Sequence, residues 1–319
     1  MIWLYILIFI GSLFLLLSSG TLLVHSLTKI ARFLGWKEFV VAFFVVAMAG
    51  SAPNFFVGIN SAINGIPQLS FGDVVGGNIV DLTLAIALAV LITRTAIPVE
   101  SKMVQTSTIF TSVVAVLPLL LIFDGKLGRG DGLILIGVFL FYVFWIFSKG
   151  DRFRQVYDGK DKEIIKGFKD FIKDLGKVIF SLILLMVAAE GIVRSSLFFA
   201  ESFGLSLPII GILIIGLGNA LPEIYFAVAS AKRGHTAMIL GDLMGSIIVP
   251  ATLVLGIVAF IHPIEVDNFS PFAIARIFLV LSAFLFFFAI KTGRKITTKE
   301  AIGLLFIYIL FVVVEILVK

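Results

Sequence analysis

The chain contains no cysteine, which excludes a disulfide framework and any thiolate metal site. Its only histidines, His25, His235 and His262, stand near the ends of apolar runs and share no metal-ligand spacing. Charge is scarce as well. Asp, Glu, Lys and Arg make up 14% of 319 residues, whereas hydrophobic residues make up 60%. A soluble domain carries roughly 25% charged residues, so too little polar surface is present here to cover a water-exposed globule. Mean hydropathy is +1.15.

What is present instead is a series of long uncharged runs, such as 39–62, 103–123 and 132–147. Each is long enough, or nearly so, to cross a hydrocarbon layer of about 30 Å as a helix. The composition therefore predicts an all-α integral membrane protein whose principal partner is the lipid bilayer. Ten transmembrane helices are expected, over 2–24, 39–63, 73–93, 103–123, 131–148, 176–199, 207–231, 240–262, 270–290 and 300–318. The first run has no basic leader and no cleavage-like site, so it reads as a span and not as a signal peptide.

Lysine and arginine set the expected orientation. The loops after spans 1, 3, 5, 7 and 9 hold 20 of them, against 4 in the loops on the other side. By the positive-inside rule the first set faces the cytoplasm, which puts both termini outside a multi-pass plasma-membrane protein. The basic residues are spread over juxtamembrane loops, and no nucleic-acid role is expected. The most charged stretch, 149–175, divides the chain into a first five-helix unit, 1–148, and a second, 176–319. In and around it Ile164, Ile165, Phe168, Phe171 and Ile172 recur at helical spacing. That pattern reads as an amphipathic helix on the cytoplasmic surface, with a regulatory site as the alternative.

The two units are related. A shift of 169 residues places Pro53 on Pro222, Gly72-Asp73 on Gly241-Asp242, Gly76 on Gly245 and Thr83-Leu84 on Thr252-Leu253. Over positions 53–84 there are eleven identities in 32 without a gap. Five spans per unit is an odd number, so the second unit must cross the membrane upside down. Inverted five-helix repeats are a common transporter architecture, with the substrate site near the midplane where the halves meet.

The aligned segments hold most of the intramembrane polar groups: Ala49-Gly50-Ser51-Ala52-Pro53-Asn54 in one half, and Gly216-Leu217-Gly218-Asn219-Ala220-Leu221-Pro222-Glu223 in the other. A mid-span proline frees backbone carbonyls, which a membrane tolerates only where protein, water or an ion satisfies them. Ser51 and Asn54 share a helical face, as do Asn219 and Glu223. An ion site follows, with a packing kink as the alternative. Glu223 and Asp81 are the deepest acids, and neither has an evident basic partner, which points to a cation or proton as counter-charge. Asp73 and Asp242 each follow a glycine at the expected start of a span. They read as helix caps, with direct ion binding as the alternative; as caps they would still be placed to line an entrance. Glu190 aligns with Thr21 and reads as structural.

At these residues the chain resembles the cation/calcium exchanger superfamily, closest to prokaryotic sodium/calcium exchangers. Members carry two repeats, each with a Gly-Thr-Ser-x-Pro-Glu-like run followed by a Gly-Asn-x-x-Gly-Ser-Asn-like run. The counterparts here are Gly50–Asn54 with Gly72–Asp81, and Gly218–Glu223 with Gly241–Pro250. The resemblance spans nearly the whole chain. It implies cation ligands at Ser51, Asn54, Asp81, Asn219, Glu223 and Ser246, with Asp81, Glu223, Asn54 and Asn219 as the main metal-binding set. Supporting groups would be Ala47, Gly50, Gly216, Asp73 and Asp242. It further implies alternating-access exchange of Ca2+ against Na+ or protons, with spans 1 and 6 sliding and no cofactor or enzymatic activity. Two departures stand out: Asn54 replaces a common glutamate, and Pro250 is the counterpart of Asp81. A monovalent-cation/proton antiporter on the same scaffold is the alternative, and a channel or sensor lies further off. A monomer is compatible with all of these.

Overall fold

The structure, a computed structural model, describes residues 2–33, 50–99, 102–148, 168–204, 206–232, 236–266 and 270–317. Helix follows helix: α1 (Ile2–Phe33), α2 (Ala52–Ile63), α3 (Gln68–Thr93), α4 (Lys102–Leu121), α5 (Arg129–Ser148), α6 (Phe168–Phe203), α7 (Leu207–Lys232), α8 (Ile239–Ile261), α9 (Ser270–Gly293) and α10 (Thr298–Leu317). Among the described residues, eight helices are long and apolar enough to cross a membrane. Large apolar side chains such as Trp3, Phe123, Phe144 and Leu317 are exposed on the outside, where acyl chains are the matching solvent. The first part of the expected span 39–63 and most of the expected linker 149–175 lie outside the described residues.

Three helix starts differ from the sequence expectation. α3 begins at Gln68, with Pro67 at its N-cap, because proline suits a helix start where the missing N–H costs nothing. The helix that continues into α8 already begins at Thr236. Asp73 and Asp242 therefore lie inside helices, and neither is a cap. Similarly, α6 starts at Phe168, so residues 168–175 of the expected linker are its first turns.

Both α3 and α8 contain a wide π-helical turn, at Asp81–Ala85 and Pro250–Val254. The two turns are related by the same 169-residue shift that aligns the sequences. A π turn disturbs the regular carbonyl pattern, and such turns recur at functional sites. The aligned threonines relieve the disturbance: Thr83 Oγ1 donates to the Ile79 carbonyl, and Thr252 Oγ1 donates to the Ile248 carbonyl. The repeated Ile and Thr identities thus have a backbone reason. α7 carries its own π turn at Ile210–Ile215 and a break at Ala220 before Pro222.

α3 and α7 cross with their backbones almost touching. A Cβ at Gly76 would stand 2.1 Å from the Ile212 carbonyl oxygen, and one at Gly216 would stand 2.7 Å from the Gly77 nitrogen. Only glycine permits this approach, and small residues at helix crossings are how membrane helices gain packing energy without a hydrophobic drive between them.

The buried apolar residues fall into two clusters. One gathers α3, α4, α5, α8, α9 and α10 around Phe71, Leu82, Ile86, Phe272, Phe286 and Phe311. The other joins α1 and α6 through Leu16, Leu23, Leu185, Ala188, Ala189 and Ile192. It meets the remaining helices at Ala52, Val57, Leu69, Ile210 and Ile215.

Four short strands tie the loops together. β1 (Ile97–Pro98) pairs antiparallel with β4 (Lys295–Ile296), and β2 (Lys126–Leu127) with β3 (Ile264–Glu265). The β2–β3 pair also carries an exposed ion pair, Lys126 Nζ to Glu265 Oε1 at 2.6 Å.

Candidate functional site

Where α2, α3, α7 and α8 converge, they enclose a cavity lined by Asn54, Val74, Gly77, Asn78, Asp81, Asn219, Ala220, Glu223, Ser246 and Pro250. The backbone explains why these side chains meet. Pro53 and Pro222 start helical segments immediately before Asn54 and Glu223. The π turns place Asp81 and Pro250 at matching depth in α3 and α8. The close α3–α7 crossing then brings Asp81 of one unit to Ser246 and Glu223 of the other.

The space is small: about 10 Å³ is open to the centre of a water-sized sphere, room for one ion or water and no organic solute. Asp81 is buried, and its Oδ2 accepts from Ser246 Oγ at 2.6 Å. Ser246 Oγ also lies 3.0 Å from the Leu243 carbonyl. Asp81 Oδ1, Asn219 Oδ1, Glu223 Oε2 and Asn78 Nδ2 are buried with no hydrogen-bond partner. Buried polar atoms are rarely left unpaired, and three of these four are oxygens. Among the described residues no lysine or arginine pairs with Asp73, Asp81, Glu223 or Asp242. No cluster of three or more His, Cys, Asp or Glu occurs among them either. The donor set is thus two carboxylates with amide and hydroxyl oxygens, the hard-oxygen chemistry that suits Ca2+ or Na+.

Of the residues singled out in the sequence, Asn54, Asp81, Asn219, Glu223 and Ser246 line this cavity. Ser51 is buried one turn away, its carbonyl accepting the Phe55 N–H at 3.0 Å, and is not among the lining residues. Among the described residues, nothing lies within 4 Å of the Cβ position of Gly50. Gly216 serves the helix crossing and does not line the cavity. Ala47 lies outside the described residues. Asp242 is half-buried, off the cavity, and has no hydrogen-bond partner among the described residues. Asp73 is fully buried behind the lining. It accepts Asn219 Nδ2 at 3.0 and 3.1 Å and Asn54 Nδ2 at 3.2 Å. Glu190 sits on α6 and is paired with Arg194.

Sequence reasoning missed Asn78. Its counterpart across the repeat is Ile247, so comparing the halves drew no attention to it. Its place in the Gly76-Gly77-Asn78 run was the available signal.

Comparison with known proteins gives a consistent result. The family described as sodium/calcium exchanger protein matches residues 4–148 and 174–317. The sodium/calcium exchanger MaX1 of Methanosarcina acetivorans is 26% identical, covering 97% of both chains. The inner membrane protein YrbG of Escherichia coli is 25% identical over 90% of this chain and 88% of its own. A solved structure of the sodium-calcium exchanger NCX_Mj, soaked with Na+ and Sr2+, superposes with a TM-score of 0.65 at 25% identity. It covers 98% of this chain and 99% of its own.

Proposed function

The chain belongs to the sodium/calcium exchanger family, and from that premise we propose that it is a secondary antiporter exchanging Ca2+ against Na+ by alternating access. The observation that carries this reading is that Asp81, Asn219 and Glu223, each with a buried oxygen left unpartnered (Oδ1, Oδ1 and Oε2), line one small cavity. Asp81 and Glu223 would balance a divalent charge. Asn54, Asn219 and Ser246 would supply neutral oxygens toward the six to eight that Ca2+ takes. Na+ would compete for the same atoms, and that competition couples the two fluxes.

The same reading takes the chain as ten membrane crossings in two inverted units. If each helix crosses once, the loops after α3 and α9 share one face, and the loops after α4 and α8 share the other. The β1–β4 and β2–β3 pairings join those same loops. The repeat carries β2 onto β4, so equivalent loops belong to opposite faces. The basic residues concentrated in the first set make it the cytoplasmic face, with both termini outside the plasma membrane. α1 and α6, whose apolar faces pack on each other apart from the larger core, are the elements expected to slide and expose the site to each side in turn.

The test is purified protein in liposomes, with radiolabelled Ca2+ uptake driven separately by Na+ and by proton gradients. Uptake driven by Na+ is expected. Uptake driven only by protons would replace the coupling ion. No uptake under either gradient, with monovalent-cation-driven proton flux instead, would replace calcium exchange by monovalent-cation/proton antiport. The amide at position 54 makes that outcome the relevant alternative, because it leaves the site with one carboxylate fewer than a glutamate there would.

A further inference from the structure

We propose that Asp73 is a positioning residue whose carboxylate turns the Asn54 and Asn219 side chains so that their oxygens, and not their NH2 groups, face the transported cation. The inference rests on the exchange reading above and deepens it.

A carboxamide is a two-ended dipole of nearly symmetric shape. Nothing in its own geometry decides which end points into a site. Here the decision is made from behind. Asp73 Oδ1 and Oδ2 accept Asn219 Nδ2 at 3.0 and 3.1 Å, and Oδ2 also accepts Asn54 Nδ2 at 3.2 Å. The carboxylate is fully buried and does not line the cavity, whereas both asparagines do. With its nitrogen held, Asn219 leaves Oδ1 buried and without a partner. An ionised carboxylate offers acceptors only, so it enforces this orientation on both amides. A neutral amide at position 73 would put an NH2 group in place of one acceptor, losing the charge and the second bond to Asn219, and that NH2 could itself compete for the amide oxygens.

The repeat explains why one half carries this device. Shifting by 169 residues takes Asp73 to Asp242, Asn54 to Glu223 and Asn219 to Gly50. The Asp242 counterpart would thus face a carboxylate and a residue without a side chain, neither able to donate from a side chain. Asp242 has no hydrogen-bond partner among the described residues. Position 54 carries an amide where its counterpart carries an acid because it donates to Asp73, and a carboxylate there would repel it.

The experiment compares the Ca2+ KM and maximal rate of wild type, Asp73→Asn, Asn219→Ala and the double variant in liposomes. Asp73→Asn is expected to raise KM by about tenfold or more, the effect of losing hydrogen bonds to a charged group, with a smaller change in maximal rate. In the Asn219→Ala background the same substitution is expected to act less than half as strongly in free energy, because one of its two clients is gone. An unchanged KM in Asp73→Asn, or an equal effect in both backgrounds, overturns the role of Asp73. If a variant is not recovered as monodisperse protein or loses measurable transport, a Ca2+-bound structure of the wild type decides. Both amide oxygens should lie about 2.3–2.6 Å from the ion, with both nitrogens still on Asp73. An Asp73 oxygen on the ion, or an amide turned round, overturns the inference. Wild type that moves no Ca2+ under either gradient removes the exchange reading itself, whereas wild-type transport with an unaffected Asp73→Asn removes only this role.

Discussion

Replacing Gly76 with alanine should damage ion affinity at a distance from the ion, and the geometry sets the size of the effect. The new Cβ would stand 2.1 Å from the Ile212 carbonyl oxygen, where real contacts stay beyond 3.0 Å. The obstacle is backbone on both sides, so no side chain can swing away. α3 and α7 must separate locally by about 1 Å, and overpacking of this kind typically costs about 1–3 kcal/mol. The same separation loads the Asp73–Asn219 hydrogen bonds, now 3.0 and 3.1 Å. Stretched toward about 4 Å they would no longer hold. A misplacement of this size at a binding constellation can cost up to about a hundredfold, and a rise in Ca2+ KM of about tenfold or more is expected. The assay is radiolabelled Ca2+ uptake in liposomes, with thermal stability followed by size-exclusion chromatography. Gly137→Ala is the control, because nothing lies within 4 Å of its Cβ position. That substitution should gain helix propensity, up to about 1 kcal/mol, and transport normally. If Gly76→Ala matches the control in both KM and stability, the crossing is not the constraint argued here.

Glu223→Gln keeps the shape of the side chain and removes one of two cavity carboxylates, and it should abolish transport; full activity would take Glu223 out of the site. Ser246→Ala removes the 2.6 Å donor to Asp81. Because hydrogen bonds to charged groups contribute about 1.5–3 kcal/mol, Ca2+ affinity should fall by roughly tenfold or more in a binding titration, and an unchanged isotherm would show that this bond does not orient Asp81. Thr83→Val and Thr252→Val each take a hydroxyl from a π turn. Each hydroxyl bonds a carbonyl of its own helix, and a net intramolecular hydrogen bond contributes about 0.5–1.5 kcal/mol, so losses of that order, similar in the two variants, are expected in denaturation experiments. A large loss in one with none in the other would contradict the equivalence of the two turns.

Much of this protein is legible in its sequence because the membrane makes single residues informative. Long uncharged runs read as spans, and the 169-residue repeat is visible as a Pro, an Asp and spaced glycines. Asp81 and Glu223 stand out because an acid inside an apolar run is costly unless it has work to do. Asp73 shows the limit of such reading. The preceding glycine and the expected span boundary made it look like a cap, while Pro67 had already started the helix at Gln68. Asn78 passed unnoticed because an asparagine near glycines is common and its counterpart is an isoleucine.

The small cavity of carboxylate and amide oxygens that opened as a prediction from two prolines and two acids is a tertiary object. Its bonds join Asn219 to Asp73 across 146 residues and Ser246 to Asp81 across 165. Sequence determined which polar groups fall within the apolar runs and that two related segments carry them. That Asp73 stands behind the cavity lining with both asparagines on it, and that Ser51 lies outside that lining, was decided by tertiary packing, above all by the distance at which α3 and α7 cross. That distance depends on backbone meeting backbone at Gly76 and Ile212, a contact that no local pattern encodes.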